Sequence, residues 1–189
     1  MKIAKGAILD KEKIKLNPNV YLELSENAKV DIDNMLIIGS HSYPGYEMPS
    51  FFVVGEGARV EAKSFDFYEH ADVFVYKDAL LELGNYTFIN KESLIRCTKH
   101  IKIGDKCAIG RRFVALDNDF HSIHGKKESL PITIGNHVWI GTGVTVLKGV
   151  TIGDGCVIGA GSVVTKDIPP KCLACGNPIK IVKKNIEWG

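Results

Sequence analysis

From Ile134 to Val164 the chain repeats itself every six residues. Aliphatic residues stand at Ile134, Ile140, Val146, Ile152, Ile158 and Val164. Small or β-branched residues follow four positions behind, at Val138, Val144, Val150, Cys156 and Ser162, and a glycine comes directly after Ile134, Ile140, Ile152 and Ile158. An amphipathic helix needs apolar residues at every third or fourth position and a half-buried strand at every second, so neither makes a period of six. A hexapeptide repeat does. Each unit is one short strand and a turn, and three units close a triangular coil of about 18 residues. The aliphatic positions then point into the prism and stack from coil to coil. The fold class expected is all-β, a parallel β-helix whose hand the spacing leaves open.

The same signal runs weakly through the N-terminal half. Leu24, Val30 and Leu36 lead, with Ala28 and Asn34 four behind; Val54 with Ala58 and Val60 with Ser64 resume the pattern after HSYPGYEMPS, residues 41–50, which reads as a loop leaving the coil. After an aromatic stretch at 64–74 the repeat returns with Val75 and Ala79. Leu83 with Thr87 and Ile89 with Ser93 follow after a shift of phase, and Ile103 with Cys107 and Ile109 with Phe113 after a second. The expected organisation is a single domain, 1–189. It comprises an N-terminal cap of strands (1–23), degenerate coils (24–115), an extended loop (116–133), regular coils (134–168) and a tail (169–189) ending in a short helix around Lys183 to Trp188. The interruption DNDFHSIHGKKESLP, residues 117–131, is polar and carries two histidines. An excursion of that length from a rigid repeat is more often functional than accidental.

Charge and cysteine usage exclude several classes. Twenty-four basic and 22 acidic residues leave a formal charge of +2 without a long single-sign block, so nucleic acid is not an expected partner. The N-terminus lacks a long apolar segment and no stretch approaches the roughly 18 apolar residues of a membrane span, so a cytoplasmic location is expected. Five cysteines without a regular framework fit a reducing compartment. Cys107 and Cys156 occupy small-residue positions of hexapeptides and read as packed thiols. The lone CxxC, Cys172 and Cys175, has no second pair to make a zinc site and no βαβ setting to make a redox motif.

The run IGNHVWIGTGVTVLKGVTIGDGCVIGAGSVVTKDIPP, with CGNPIKIVK behind it and DNDFHSI ahead, resembles the hexapeptide-repeat acyltransferases, most of all the O-acetyltransferases of sugars and bacterial polysaccharides. The resemblance implies a left-handed helix, a homotrimer with active sites between subunits, acetyl-CoA as acyl donor, a carbohydrate acceptor and no metal. It also implies direct attack in a ternary complex, so that no cysteine nucleophile is needed. His121 lies where the family carries its catalytic histidine, and an imidazole, with an ordinary pKa near 6.5, suits removal of the acceptor hydroxyl proton. His124 is the nearby rival, and both could simply be solvated loop residues. Asp117, Asn118 and Asp119 either orient the imidazole and hold sugar hydroxyls or form a turn through Asx hydrogen bonds. Trp139 is either a wall of the acceptor pocket and thioester channel or an interface aromatic. The backbone of Trp139, Ile140 and Gly141 is the candidate oxyanion donor. The pantetheine arm is expected along Gly141, Thr142, Gly143, Ala160 and Gly161, though tight turns also demand glycine. Lys166, Lys180 and Lys183 are candidates for the phosphates of CoA, or ordinary surface lysines.

Other activities on this fold fit less well. A γ-class carbonic anhydrase needs three histidines converging on zinc, whereas His121 and His124 share one loop and His137 is thirteen further on. A serine acetyltransferase would carry a long helical N-terminal region, which is missing here. N-acetylation of an amino sugar and a non-enzymatic β-helical scaffold remain as alternatives.

Overall fold

The computed structural model describes residues 1–41, 48–122, 124–125 and 128–189. The chain winds as a triangular prism of parallel strands, because each inward aliphatic position finds its counterpart directly beneath it in the next coil. Ile103, Ile134 and Ile152 stand in register on one side of the core. Ile109, Ile140, Ile158 and Ala174 stand on a second, and Ile95, Ala115, Val146 and Val164 on the third. All of these side chains are buried. Each Ile or Val withdrawn from water contributes about 1.5–3 kcal/mol, which makes the stacked ladders the main stabilising term.

The first face holds eight strands: Lys2–Ile3, Val20–Leu24, Ser50–Val54, Asp72–Val75, Leu94–Cys97, Val114–Leu116, Thr145–Leu147 and Val163–Val164. The second and third faces form one sheet, since the long strands Lys29–Ser40, Arg59–Tyr68 and Leu80–Ile89 bend around the corner between them. Coil length can be read from register. Thr145 pairs with Val163, 18 residues on, whereas Phe51 pairs with Asp72 and Val114 with Thr145, which are 21 and 31 residues on. The additional residues leave the prism at its corners and the core ladders continue past them. The phase shifts in the sequence are these insertions. The first 23 residues already make a coil: Lys2 and Ile3 pair with Glu23 and Leu24, and Ile8 and Leu9 with Lys29 and Val30.

Two expectations need correction. No helix occurs among the described residues. The segment expected to be helical enters an antiparallel strand, Lys180–Lys184, laid against Cys172–Cys175, and residues 185–189 continue in irregular conformation. The third face ends in an open strand edge, and covering that edge satisfies more backbone than a six-residue helix could. Asn34 is exposed and not inward, because the register slips between Ile32 and Met35. The loop expected at 41–50 falls mostly on residues 42–47, outside the described residues.

Burial settles the cysteines. Cys107 and Cys156 are fully buried and burial pushes both thiols up, which suits packing and not nucleophilic chemistry. Cys172 is buried while Cys175, three residues on, is exposed.

Candidate functional site

The candidate residues are distributed over the prism by its winding order. The corner between the first and second faces carries the excursion 117–131, with Lys148 and then Lys166 in the coils beyond it. The corner between the third and first faces carries Gly141, Thr142 and Gly143 in one coil and Ala160 and Gly161 in the next. Trp139 opens a strand of the third face, and Lys180 and Lys183 lie on the strand closing that face. A single prism therefore does not unite them. His121 and the glycine corner are separated by the first face, one hexapeptide wide, on the order of 20 Å.

At the first of these corners the acidic triplet separates into distinct roles. Asp117 is fully buried, and its carboxylate accepts from Thr98 N–H and Oγ1 (both 2.7 Å), Lys99 N–H (2.8 Å) and His100 N–H (3.0 Å). Those four bonds tie the excursion to the preceding coil and leave Asp117 no open side toward a sugar. Asn118 donates through Nδ2 to Ser129 Oγ and accepts Phe120 N–H, an Asx turn. Asp119 pairs with Lys148 at 2.8 Å, and its carbonyl accepts His121 N–H at 2.7 Å. The Phe120 ring leans on Tyr76, 5.8 Å between centroids. His121 is exposed, with no side-chain partner among the described residues, and His124 is exposed in a left-handed turn conformation. Beneath the excursion lies a cavity of about 200 Å³ lined by Leu116, Asn118, Asp119, Leu147, Lys148 and Thr165.

At the glycine corner, the expectation of oxyanion donors at Trp139 and Gly141 is overturned. Trp139 N–H donates to Cys156 O at 2.9 Å and Gly141 N–H to Ile158 O at 2.8 Å, so both are committed to the next coil. Thr142 and Ala160 are exposed, and their N–H groups make no bond among the described residues. Free donors on adjacent coils are an arrangement that can receive carbonyl oxygens or an oxyanion. Gly143 and Gly161 have φ of +72° and +69°, and a Cβ on either would meet nothing within 4 Å, so the corner beside them is open.

Some features were missed in the sequence. Trp188 stacks on His137 (4.1 Å, 4°), donates through Nε1 to His137 O (3.0 Å) and stands 6.0 Å from Trp139. Only a tryptophan in an aperiodic tail signalled it. Arg111 and Arg112, one coil before Thr142, both bind Glu92 and hold its carboxyl below the ordinary range. A further cavity, of about 480 Å³, lies elsewhere. Its charged lining is Asp31, Asp33, Glu61, Glu82 and Asp105 against Lys63 and Lys102, a net negative surface that disfavours the phosphates of CoA. No group of residues suited to a metal occurs among the described residues.

The family model for bacterial transferase hexapeptide (six repeats) matches residues 131–166. The maltose O-acetyltransferase of Clostridium difficile 630 is 33% identical with a TM-score of 0.53, over 70% of this chain and 69% of that one. The chain belongs to the hexapeptide-repeat transferases. Its coils are those of that family's left-handed parallel β-helix. The hexapeptide-repeat acetyltransferase of Vibrio cholerae O1 biovar eltor, solved with acetyl coenzyme A, is 34% identical over 57% of this chain and 61% of that one, with a TM-score of 0.53. The polysialic acid O-acetyltransferase of Escherichia coli O1:K1 / APEC is 41% identical over 124 residues, 62% of this chain. The match spans only 40% of that relative's length.

Proposed function

We propose that this chain transfers the acetyl group of acetyl-CoA to a hydroxyl of a sugar or bacterial surface polysaccharide, as a homotrimer whose sites lie between subunits. The observation that carries this reading is His121. An exposed imidazole with no side-chain partner among the described residues stands on an arm held firmly at its base, and across the first face a glycine-lined corner displays N–H donors unused among the described residues. Relatives named for O-acetylation of polysialic acid and maltose, and one solved with acetyl coenzyme A, agree with it.

In this mechanism His121 takes the acceptor hydroxyl proton as the oxygen attacks the thioester carbonyl carbon. The tetrahedral oxyanion is held by the Thr142 N–H, and the Ala160 N–H holds the pantetheine arm along the corner. Collapse breaks the C–S bond, and the imidazolium returns the proton to the departing thiolate, giving the acetyl ester and CoA. Trp139, half exposed, walls the thioester channel. Lys166 and Lys183, exposed at the C-terminal end, meet the CoA phosphates. Asn118 and Asp119 border the acceptor, whereas Asp117 serves the fold.

His121→Ala should lower acetyl transfer by a factor of about 10² to 10⁴ with CoA affinity unchanged, read from thiol release and calorimetric titration. Undiminished turnover in that variant would remove His121 as the base. A panel of sugars, nucleotide sugars and polysaccharides in the same assay identifies the acceptor.

A further inference from the structure

We infer that Lys148 is a positioning residue that sets the place of His121 by clamping both limbs of the excursion, an inference that rests on His121 as the base. The limbs meet at an antiparallel bridge between Asn118 and Ser129. From the coil before it, Thr98 binds both limbs, with its hydroxyl 2.7 Å from Asp117 Oδ1 and 3.1 Å from Ser129 Oγ. From the coil beyond it, the Lys148 ammonium lies 2.8 Å from Asp119 Oδ2 on the outgoing limb and 2.7 Å from Glu128 Oε2 on the returning one. The base of the arm is thus gripped from both sides along the prism axis.

The grip from Lys148 differs in kind from that of Thr98. Asp119 and Glu128 are like charges at the neck of one hairpin, and the ammonium between them converts a repulsion that would spread the limbs into two attractions. Its side chain is 23% exposed and that of Asp119 26%, so solvent screens this pair less than an open surface ion pair, whereas Glu128, at 56%, makes the more screened of the two contacts. The two carboxylates in turn hold the ammonium charged, pushing its pKa up. Asp119 passes the constraint on directly, because its carbonyl receives the His121 N–H two residues later. A displacement of about 1 Å in a catalytic base can cost a factor of about 10² in rate, so the clamp acts on the chemical step.

The test is Lys148→Met against Lys148→Arg in the full chain, with kcat and KM for acetyl-CoA measured separately. Expected for Lys148→Met is a fall in kcat of about 10- to 100-fold with KM for acetyl-CoA unchanged. Lys148→Arg should restore most of the rate. Hydrogen exchange should rise in residues 117–122 and not in the 134–164 coils. Adding Lys148→Met to His121→Ala should lower the residual rate no further. A raised KM with kcat intact would make Lys148 a direct contact to CoA and overturn the clamp, as would wild-type kinetics in Lys148→Met. These failures are distinct from that of the base itself, which is decided by His121→Ala alone.

Discussion

Gly141 and Gly143 stand two residues apart at one corner and are glycines for different reasons. A Cβ on Gly141 would come within 2.6 Å of Ala160 N and 2.9 Å of its Cα, rigid backbone of the next coil. Gly141→Ala must therefore separate two coils, and urea denaturation should show a loss of about 1–3 kcal/mol. Gly143 meets no such neighbour, but its φ of +72° disfavours a side chain by about 1–2 kcal/mol. Its methyl would project into the proposed pantetheine groove, so Gly143→Ala should also raise KM for acetyl-CoA; an unchanged KM would move the groove elsewhere. Glu92 supports the same corner from below. Arg112 and then Arg111 hold its carboxyl below the ordinary value. A depressed folded pKa adds stability above the unfolded pKa of about 4.3, and that stability fades as pH falls through the folded value. Glu92→Gln should accordingly be less stable than wild type at pH 7, by no more than about 1 kcal/mol because both arginine partners are solvent-exposed, and the difference should vanish under strongly acidic conditions.

At the scale of elements, the tail closes the prism. The Lys180–Lys184 strand covers the outer edge of Cys172–Cys175, and Trp188 is fixed by its stack on His137 and its bond to the His137 carbonyl. Trp188→Ala removes an aromatic pair worth about 0.5–1.5 kcal/mol beyond its buried area, so thermal unfolding should begin several degrees lower. The closing strand was not legible in the sequence, for a physical reason. Period six reports an inward row shared with neighbouring coils, and Lys180–Lys184 shares none: all five residues are exposed, and pairing alone makes them a strand. The coils were legible where the row is unbroken, from Ile134 to Val164, and also at Val75, Ala79, Leu83, Thr87, Ile89 and Ser93, all of which are buried. Asn34 misled because a bulge changes which side faces in. Asp117 was hidden for a related reason: nothing in an aperiodic excursion tells which of its carboxylates turns back toward the coil beneath.

At the scale of the whole molecule, the faces of the prism differ in kind. Outward positions on the second face are charged, among them Lys29, Asp31, Arg59, Glu61, Glu82 and Lys102. On the first face they include Phe51, Val53, Phe74, Leu94, Val114, Leu116, Leu147 and Val163, partly exposed apolar residues that run much of the length of the prism and are interrupted by Glu23, Thr145 and the paired Asp72 and Arg96. Such a stripe favours burial against another protein surface. It is also the face that separates the His121 corner from the glycine corner, so a second copy packed there would bring its own corner toward one of them. The proposed homotrimer joins the two halves of the site in this way. Leu94→Glu should dissociate it, giving a species of about 20.8 kDa in sedimentation with intact β-sheet circular dichroism and no transferase activity. A sharper test exploits the division of labour. His121→Ala lacks the proposed base and Gly143→Trp blocks the proposed groove, so neither homotrimer should turn over substrate. When the two are unfolded together and reassembled in equal amounts, about a quarter of the interfaces should pair an intact His121 with an open groove and recover activity in that proportion. Failure to complement, with mixed trimers shown to form, would place the whole site within one subunit.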